Sequence, residues 1–513
     1  MEKQRLLELQ TQRGTRIIGS EANIKTFDTV VNECRRLIQD KAELYRNLGP
    51  ETRHEKIKSI IIGYVMGLEK HALVDGFYTE EDKKLETNLL IDRLTQSILD
   101  YDILTDAMRD PDVYEIRANG KEIKVEIAGR CQDLKDRDGR VISFSSPEQQ
   151  LTIIRKLMGD VRLSAKDAVV NARTVEGYRM AVVHSSALGD DPGAPDAPKY
   201  HAFVLRKFAK KKMDLSDVVK KHTMSDNMAR FLSLMMAGGL TFFTCGPTAS
   251  GKSTTNNAIL QYVPYDTRVV LLQNPSEIDL RMKDETGRVY NDCIHLEYRD
   301  INNPGPNDPT SKHMMEQILR FSPTFVCFGE WRSNEEFKLG IQIAQAGHPI
   351  NSTLHAHTAE GAVTRIQTAY LAMSGNEPAS LALKDITDVV DIIIIQKIMR
   401  DGTRKVLDIS EVGGVRKDDS DRPEIRPLFK FVTDGDPVYG PDGRVEEIPG
   451  HHVRVGALSK ELADKMRLEG IASSRFDFMI EPPATDSSGN FTEVETYTGE
   501  NIRGYGMKVK STV

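Results

Sequence analysis

Gly246-Pro247-Thr248-Ala249-Ser250-Gly251-Lys252-Ser253 decides how this 513-residue chain is read. The stretch fits the G-x-x-x-x-G-K-[ST] pattern of a phosphate-binding loop, and its flanks fit too. Leu240-Thr-Phe-Phe-Thr-Cys245 has the length and apolarity of a buried strand, and Ser253 to Val263 has the spacing of a helix. A strand, a glycine turn and a helix N-terminus in that order aim backbone N–H groups at an anion. Lys252 is therefore predicted to reach the β- and γ-phosphates of a nucleoside triphosphate, and the Ser253 hydroxyl to ligate Mg²⁺. Gly246, Pro247, Thr248, Ala249, Ser250, Gly251, Lys252, Ser253 and Thr254 together form the predicted cradle.

Downstream of the loop, short apolar runs alternate with helical segments. Arg268-Val-Val-Leu-Leu-Gln273, Thr324-Phe-Val-Cys-Phe-Gly329 and Ile350-Asn-Ser-Thr-Leu-His355 read as strands, and Glu335 to Ala346 reads as a helix capped by Gly347. A further helix, Met228 to Met236, precedes the loop. Such alternation predicts an α/β fold with a parallel sheet and right-handed crossovers, with ligands at the carboxyl ends of the strands. Val389 to Lys397 and Lys405 to Val412 flank Asp401-Gly402, a hairpin signal, so an antiparallel pair is expected to close the region. Polar residues gather at the predicted strand ends. Glu277 follows the first of these strands and Glu330 the second, where carboxylates can hold Mg²⁺ and orient an attacking water. His348 and His355 bracket the third. Each either donates a hydrogen bond near a γ-phosphate or simply satisfies the end of a sheet.

Upstream, the periodicity changes twice. Residues 1 to about 100 carry apolar side chains at helical spacing, as in Thr29 to Ile38, Ile57 to Leu68 and Glu86 to Leu104. From Val113 the period is two. Val113 to Arg117, Ile123 to Ile127 and the short run from Val141 to Ser145 read as strands, with Asn119-Gly120 as a turn. A helix is expected over Pro147 to Met158, strands over Tyr178 to His184 and Tyr200 to Phe208, and a surface loop over Asp190 to Lys199. The chain thus divides into a helical region (1–100), a small α+β domain (101–208), a hinge (209–222), a phosphate-loop domain with a C-terminal extension (223–480) and a tail (481–513).

Composition narrows the function classes. Sixty-nine Lys and Arg against 76 Asp and Glu leave a net charge of −7, which gives no sign of direct nucleic-acid binding. The basic run from Arg206 to Lys221 reads as a solvated linker face rather than a phosphate track. Five scattered cysteines, none in a Cys-x-x-Cys pair, argue against a zinc site and for a reducing cytoplasm. No run approaches the ~20 apolar residues of a membrane span, so membrane association is expected to be peripheral. Met-Glu-Lys-Gln-Arg at the start has no signal core.

The constellation resembles a known superfamily. Phe321-Ser-Pro-Thr-Phe-Val-Cys-Phe-Gly-Glu330-Trp-Arg332, then Ala346-Gly-His348 and Ser352-Thr-Leu-His355-Ala, are similar to the traffic ATPases of type II and type IV secretion, type IV pili, tight-adherence pili and conjugation. Their phosphate loop, acidic box, Walker B ending in Gly-Glu and histidine box occur here in the same order. Met108-Arg-Asp-Pro-Asp-Val-Tyr-Glu-Ile-Arg-Ala-Asn-Gly120 resembles the entry to the family's N-terminal domain. Ile425-Arg-Pro-Leu-Phe-Lys-Phe431, with Pro441-Asp-Gly-Arg444, resembles the tail of its tight-adherence and type IV secretion branches. The resemblance implies a RecA-like P-loop NTPase domain preceded by a small PAS-like α+β domain. It implies ATP and Mg²⁺ as ligands, Glu277 as the water-polarising carboxylate, Glu330 as the Walker B acid and metal-site residue, and His348 and His355 as the histidine box. It further implies a homohexameric ring, cytoplasmic and peripheral to the inner membrane, acting on a membrane platform protein. Arginines from the N-terminal domain complete such sites. Arg179 and Arg206 stand at the matching positions, where the competing reading is strand arginines in surface ion pairs.

The chain also departs from the family. Its acidic box reads Gln273-Asn274-Pro275 instead of Glu-Asp-Pro, and Ser322-Pro323-Thr324 replaces an Asp-Pro-Asp. The missing acids place more of the work on Glu277 and Glu330, with Asp279 a reserve, or make turnover slow. The paired Cys-x-x-Cys insertion of many type II secretion and pilus-extension members is absent. The expected function is an ATPase motor of pilus assembly or secretion. The alternatives are an ATP-binding assembly scaffold with weak hydrolysis and a RecA-like nucleic-acid translocase. A GTPase is disfavoured because no Asn-Lys-x-Asp motif occurs.

Overall fold

The structure, a computed structural model, describes residues 27–41, 43, 50–67, 80–127, 129–136, 139–159, 161–189, 198–207, 213–274, 277–298, 310–487, 491, 493, 495–500 and 502. Residues 1–26 of the expected helical region, most of the 190–199 loop, 209–212 of the expected hinge, Pro275 of the acidic box and the end of the tail lie outside them. Contacts divide the chain into two units, residues 1–209 and 210–513.

Among the described residues the first unit begins with helices α1 (Phe27–Asp40), α2 (Pro50–Gly67) and α3 (Glu80–Ile98). Their apolar positions recur every three or four residues, so each presents one stripe to the others. Val30, Val31 and Cys34 of α1 meet Ile60, Ile61 and Val65 of α2 and Leu90 and Leu94 of α3 in one buried cluster. The small α+β part follows. Its strands are β1 (Val113–Asn119), β2 (Glu122–Ile127), β3 (Arg130–Asp133), β4 (Val169–Arg173), β5 (Arg179–Val183) and β6 (Ala202–Arg206). They form an antiparallel sheet in the order β3-β2-β1-β6-β5-β4. Helix α4 (Pro147–Met158) starts at Ser146, whose side chain accepts from the Gln149 N–H, with Pro147 in the first turn. Its Ile153, Ile154 and Leu157 are buried with Ile116, Val125, Met180, Val182, Phe203 and Leu205 of the sheet. Strands β3 and β4 escape the sequence reading because they are edges with little or nothing buried. The expected strand at Val141 to Ser145 is reduced to isolated bridges, Lys135 with Val141 and Glu122 with Ser143.

The second unit is built on a nine-stranded sheet. In chain order its strands are β7 (Phe242–Cys245), β8 (Val269–Gln273), β9 (Cys293–Glu297), β10 (Phe325–Phe328), β11 (Ile350–Leu354), β12 (Ile392–Ile398), β13 (Arg404–Val415) and β14 (Pro423–Thr433), followed by β17 (Gly450–Arg454). A separate two-stranded ribbon, β15 (Val438–Tyr439) and β16 (Val445–Glu447), stands between the last two. The spatial order is β17-β14-β13-β12-β7-β11-β10-β8-β9. The six strands from β12 to β9 are parallel, whereas β13, β14 and β17 add antiparallel. Every residue of β7, β8, β10 and β11 is buried, as expected of strands covered on both faces. One core holds Phe242, Leu271 and Phe325 under α5 (Asp226–Ala237). The other holds Phe243, Val270, Val326 and Ile350 under α7 (Asn334–Gln345) and α8 (Ala359–Leu371). The α/β fold with its parallel sheet is as the sequence predicts. The hairpin is not a closing pair, however: β12 joins β7 within the main sheet and β13 carries it on to β14 and β17.

Two boundary segments are tied to this unit. Within the expected hinge, Leu215–Lys220 is a helix with an Asp214/Asp217 capping box, and Leu215, Val218 and Val219 lie in the main core. Near the tail's end, Thr496, Thr498 and Gly499 donate hydrogen bonds to the carboxylate of Asp226, at the start of α5. Burial raises the Asp226 pKa, but these bonds outweigh it and hold the carboxyl below its usual range.

Candidate nucleotide-binding site

The glycine turn between β7 and helix α6 (Lys252–Leu260) has the backbone its motif requires. Gly251, the residue before α6, is left-handed at φ 92°, and no side chain caps the helix. The first turn of a helix has N–H groups without intrahelical partners, so an uncapped start is suited to phosphate oxygens. Gly246 and Gly251 also leave no room for a side chain. A Cβ on Gly246 would lie 2.0 Å from the Gln396 carbonyl oxygen. The Ser250 hydroxyl is buried and finds no hydrogen-bond partner among the described residues. An orphaned hydroxyl inside a glycine cradle at a bare helix terminus fits a phosphate chain. Lys252 is nearly buried, and its ammonium donates to the carbonyls of Gly246 and Pro247, each at 2.9 Å. Ser253 is half-buried and Thr254 exposed on the first turn of α6.

The strand register brings the predicted acids to the same end of the sheet. Leu354 of β11 stands opposite Cys245 of β7, and Phe328 of β10 opposite Leu272 of β8. The segments that leave these strands are knitted together. The Gly246 N–H donates to Leu354 O at 3.2 Å, the Trp331 N–H to Thr353 O at 3.1 Å, and the Thr353 hydroxyl to Gly329 O at 2.8 Å. Glu330 accordingly lies beside the loop. His355 Nε2 is 2.9 Å from Glu330 Oε1, and Arg332 lies 2.6 Å from Oε2. Burial raises the Glu330 pKa, but Arg332, His355 and Lys252 together outweigh it, so the carboxyl is held below the usual glutamate value.

His355 bridges the same groups. Its Nδ1 is 3.1 Å from the Gly246 carbonyl oxygen, while Nε2 faces Glu330. Both contacts are hydrogen bonds together only when each ring nitrogen carries a proton. His348 is placed differently. It precedes β11, at the opposite end from Leu354, about 20 Å of strand from the loop. Within one chain it does not join the cluster.

Glu277 is half-buried in the turn after β8, and its N–H donates to Gln273 Oε1 at 3.0 Å. Gln273 is almost fully buried and organises that turn. Its Oε1 also accepts from the Ile278 N–H at 2.9 Å, and its Nε2 donates to Ile278 O at 2.7 Å. An ionised acid could supply the acceptor but not the donor, so the departure from Glu-Asp-Pro is matched to this turn. Asp279 pairs with Arg281 at 2.8 Å, with His295 Nδ1 at 3.8 Å.

Among the described residues, no group of three or more His, Cys, Asp and Glu side chains could hold a metal alone. Glu330 Oε2 faces the Arg332 guanidinium and Oε1 the His355 ring.

In the first unit, Arg179 and Arg206 are cross-strand neighbours on β5 and β6. Arg206 Nε and Nη2 both reach Glu115 Oε2, at 3.1 and 3.0 Å, and Glu115 also binds Arg117. The ion-pair reading is therefore realised for Arg206.

Sequence reasoning passed over Arg332, which holds Glu330, and a buried amide pair. Asn256 of α6 and Asn351 of β11 bond at 2.7 Å beneath the loop, with Thr244 and Cys327 attached. Arg332 lay inside the quoted Walker B motif. An Asn inside an apolar strand, as at Asn351, was the available sign of a polar network.

Comparison with known proteins places the chain in a family. Residues 108–423 match the family described as Type II/IV secretion system protein. An uncharacterized protein of Methanocaldococcus jannaschii is 24% identical over 318 residues, covering 61% of this chain and 49% of the relative. The type II secretion system ATPase E of Vibrio cholerae is 28% identical over 258 residues, covering 49% of this chain and 47% of the relative. The chain thus spans about half the length of these curated relatives. Among solved structures, the Legionella pneumophila ATPase DotB aligns with a TM-score of 0.43 at 19% identity, covering 60% of this chain and 78% of that one. With more than half of its length matched by the family, the chain belongs to the type II/IV secretion system proteins.

Proposed function

We propose that the protein is a Mg²⁺-dependent ATPase that drives pilus assembly or secretion. The observation carrying this reading is the linked set Lys252, Gly246, His355, Glu330 and Arg332 at the carboxyl end of the parallel sheet. The N–H groups of Ala249 to Thr254 would bind the triphosphate, with Lys252 exchanging its loop carbonyls for phosphate oxygens. Mg²⁺, held through Ser253, would neutralise charge developing on the transferring group. Glu277 would polarise the attacking water, and His355, tied to both the loop and Glu330, would report the terminal phosphate. Arg179 and Arg206 would act from a neighbouring subunit of a homohexamer, with His348 serving the histidine box from outside the cluster. The ring would be cytoplasmic and peripheral, working on an inner-membrane platform protein. Among the described residues no helix is long and apolar enough to cross a membrane.

A second reading, an ATP-binding scaffold with weak hydrolysis, draws support from Gln273, a fully engaged amide where the family has an acid. Steady-state phosphate release separates the two. Lys252→Ala and Glu277→Gln each abolish turnover on the motor reading, with ATP binding kept in the second. Full activity in Glu277→Gln removes that residue from the mechanism.

A further inference from the structure

The β12–β13 hairpin grips the phosphate loop in a way the loop's own motif does not require. Ile395 of β12 stands opposite Cys245 of β7, which puts Gln396 beside Gly246. A Cβ on Gly251 would lie 3.0 Å from Gln396 Nε2 and 2.9 Å from Arg404 Cδ. Arg404, opposite Ile398 at the start of β13, donates from Nε to the carbonyl of Ala249 at 3.3 Å. Ala249 is the non-glycine residue of the loop with left-handed backbone, φ 63°. A Cβ disfavours that conformation, which persists only where the surroundings hold it. The base of the grip is itself fixed. Lys405 Nζ donates to His222 O and the Val406 N–H to Thr223 O, each at 2.8 Å.

We propose that Arg404 is a positioning residue of the nucleotide site. By holding the Ala249 carbonyl it keeps the 249–250 peptide turned so that the loop's N–H groups converge on the phosphates. The inference rests on the nucleotide-binding reading and adds to it a residue more than 150 positions from the loop in sequence. The active group is the Nε–H donor, not the charge.

Three substitutions separate donor from charge. Arg404→Gln keeps an N–H at the same distance along the side chain and removes the charge. Arg404→Lys keeps the charge and puts a carbon where the donor was, and Arg404→Ala removes both. Calorimetric titration of the full chain with Mg·ADP is expected to show affinity about three- to tenfold weaker for Lys and Ala, the worth of one hydrogen bond, with Gln near wild type. Amide hydrogen exchange at residues 249–251, in protein without nucleotide, is expected to quicken in the Lys and Ala variants only. Thermal unfolding monitors folding of each variant. Wild-type affinity in all three, restoration by Lys but not Gln, or equal loss in all three overturns the assignment while leaving nucleotide binding intact. Absence of Mg·ADP binding in the wild type overturns the underlying reading itself.

Discussion

Gly340→Ala tests whether the packing of Trp331 sets the position of Glu330. Trp331 is 1% exposed, and its ring is walled by Phe243, Phe337 and Phe328 with centroids at 4.9, 5.3 and 5.7 Å. Gly340, in the middle of α7, faces the same ring: a Cβ there would lie 1.9 Å from Trp331 Cζ2 and 2.6 Å from Cη2. Ordinary contact begins at 3.4 Å, so the indole must retreat by roughly 1.5 Å into a wall of aromatic side chains. Overpacking of this kind costs about 1–3 kcal/mol. Helix propensity works the other way, since alanine is favoured over glycine by about 1 kcal/mol. The sign of the net effect therefore reports on the ring. Trp331 is the single tryptophan of the chain, so its emission follows urea unfolding without interference. The midpoint is expected to fall with the slope unchanged. Because Glu330 immediately precedes the displaced residue, phosphate release should fall with it, by up to about a hundredfold for a misplacement near 1 Å. A raised midpoint would show that α7 and the indole are not in the contact described.

Two other substitutions probe the acids. Gln273→Glu restores the family's residue yet is expected to destabilise the fold by about 1–3 kcal/mol at neutral pH, because a buried carboxylate would face the Ile278 carbonyl. The loss should shrink on acidification, when the protonated acid can donate again, and turnover should not rise; a gain in turnover would contradict it. For Glu330 the folded-state pKa is depressed. Its contribution is complete above the usual glutamate pKa and is lost as pH falls through the lower folded value. Unfolding of wild type and Glu330→Gln should thus converge as pH falls below the usual glutamate pKa, and a constant gap would sink that account.

Much of this was legible in the chain because buried parallel strands are continuous apolar runs, and the phosphate loop carries its own chemistry in its residue types. Val269–Gln273 and Phe325–Phe328 announce themselves this way, and Glu277 and Glu330 follow from where those runs stop. Strands that bury little, such as Arg130–Asp133, gave no such signal. β14 contains Pro423 and Pro427, which argue against a strand; Pro423 is its first residue and Pro427 stands opposite Ser410 at a register shift, places where a sheet tolerates proline. Long-range partners were also hidden. Arg404 meets Ala249 only because β12 lies beside β7, and the Asp226 carboxylate meets Thr496 only because the tail returns to α5. His348 and His355 look equivalent as a pair bracketing a strand. A parallel strand has two ends, and only one of them faces the loop.

Lys252 and its loop are the proposed seat of the triphosphate. A titration of the wild type and of Lys252→Ala with Mg²⁺ and ATP, followed by calorimetry and by Trp331 emission, tests this most directly. Saturable binding in the wild type, weakened at least about tenfold in the variant, is the predicted result. Equal affinity in the two proteins would place the nucleotide elsewhere and contradict the account.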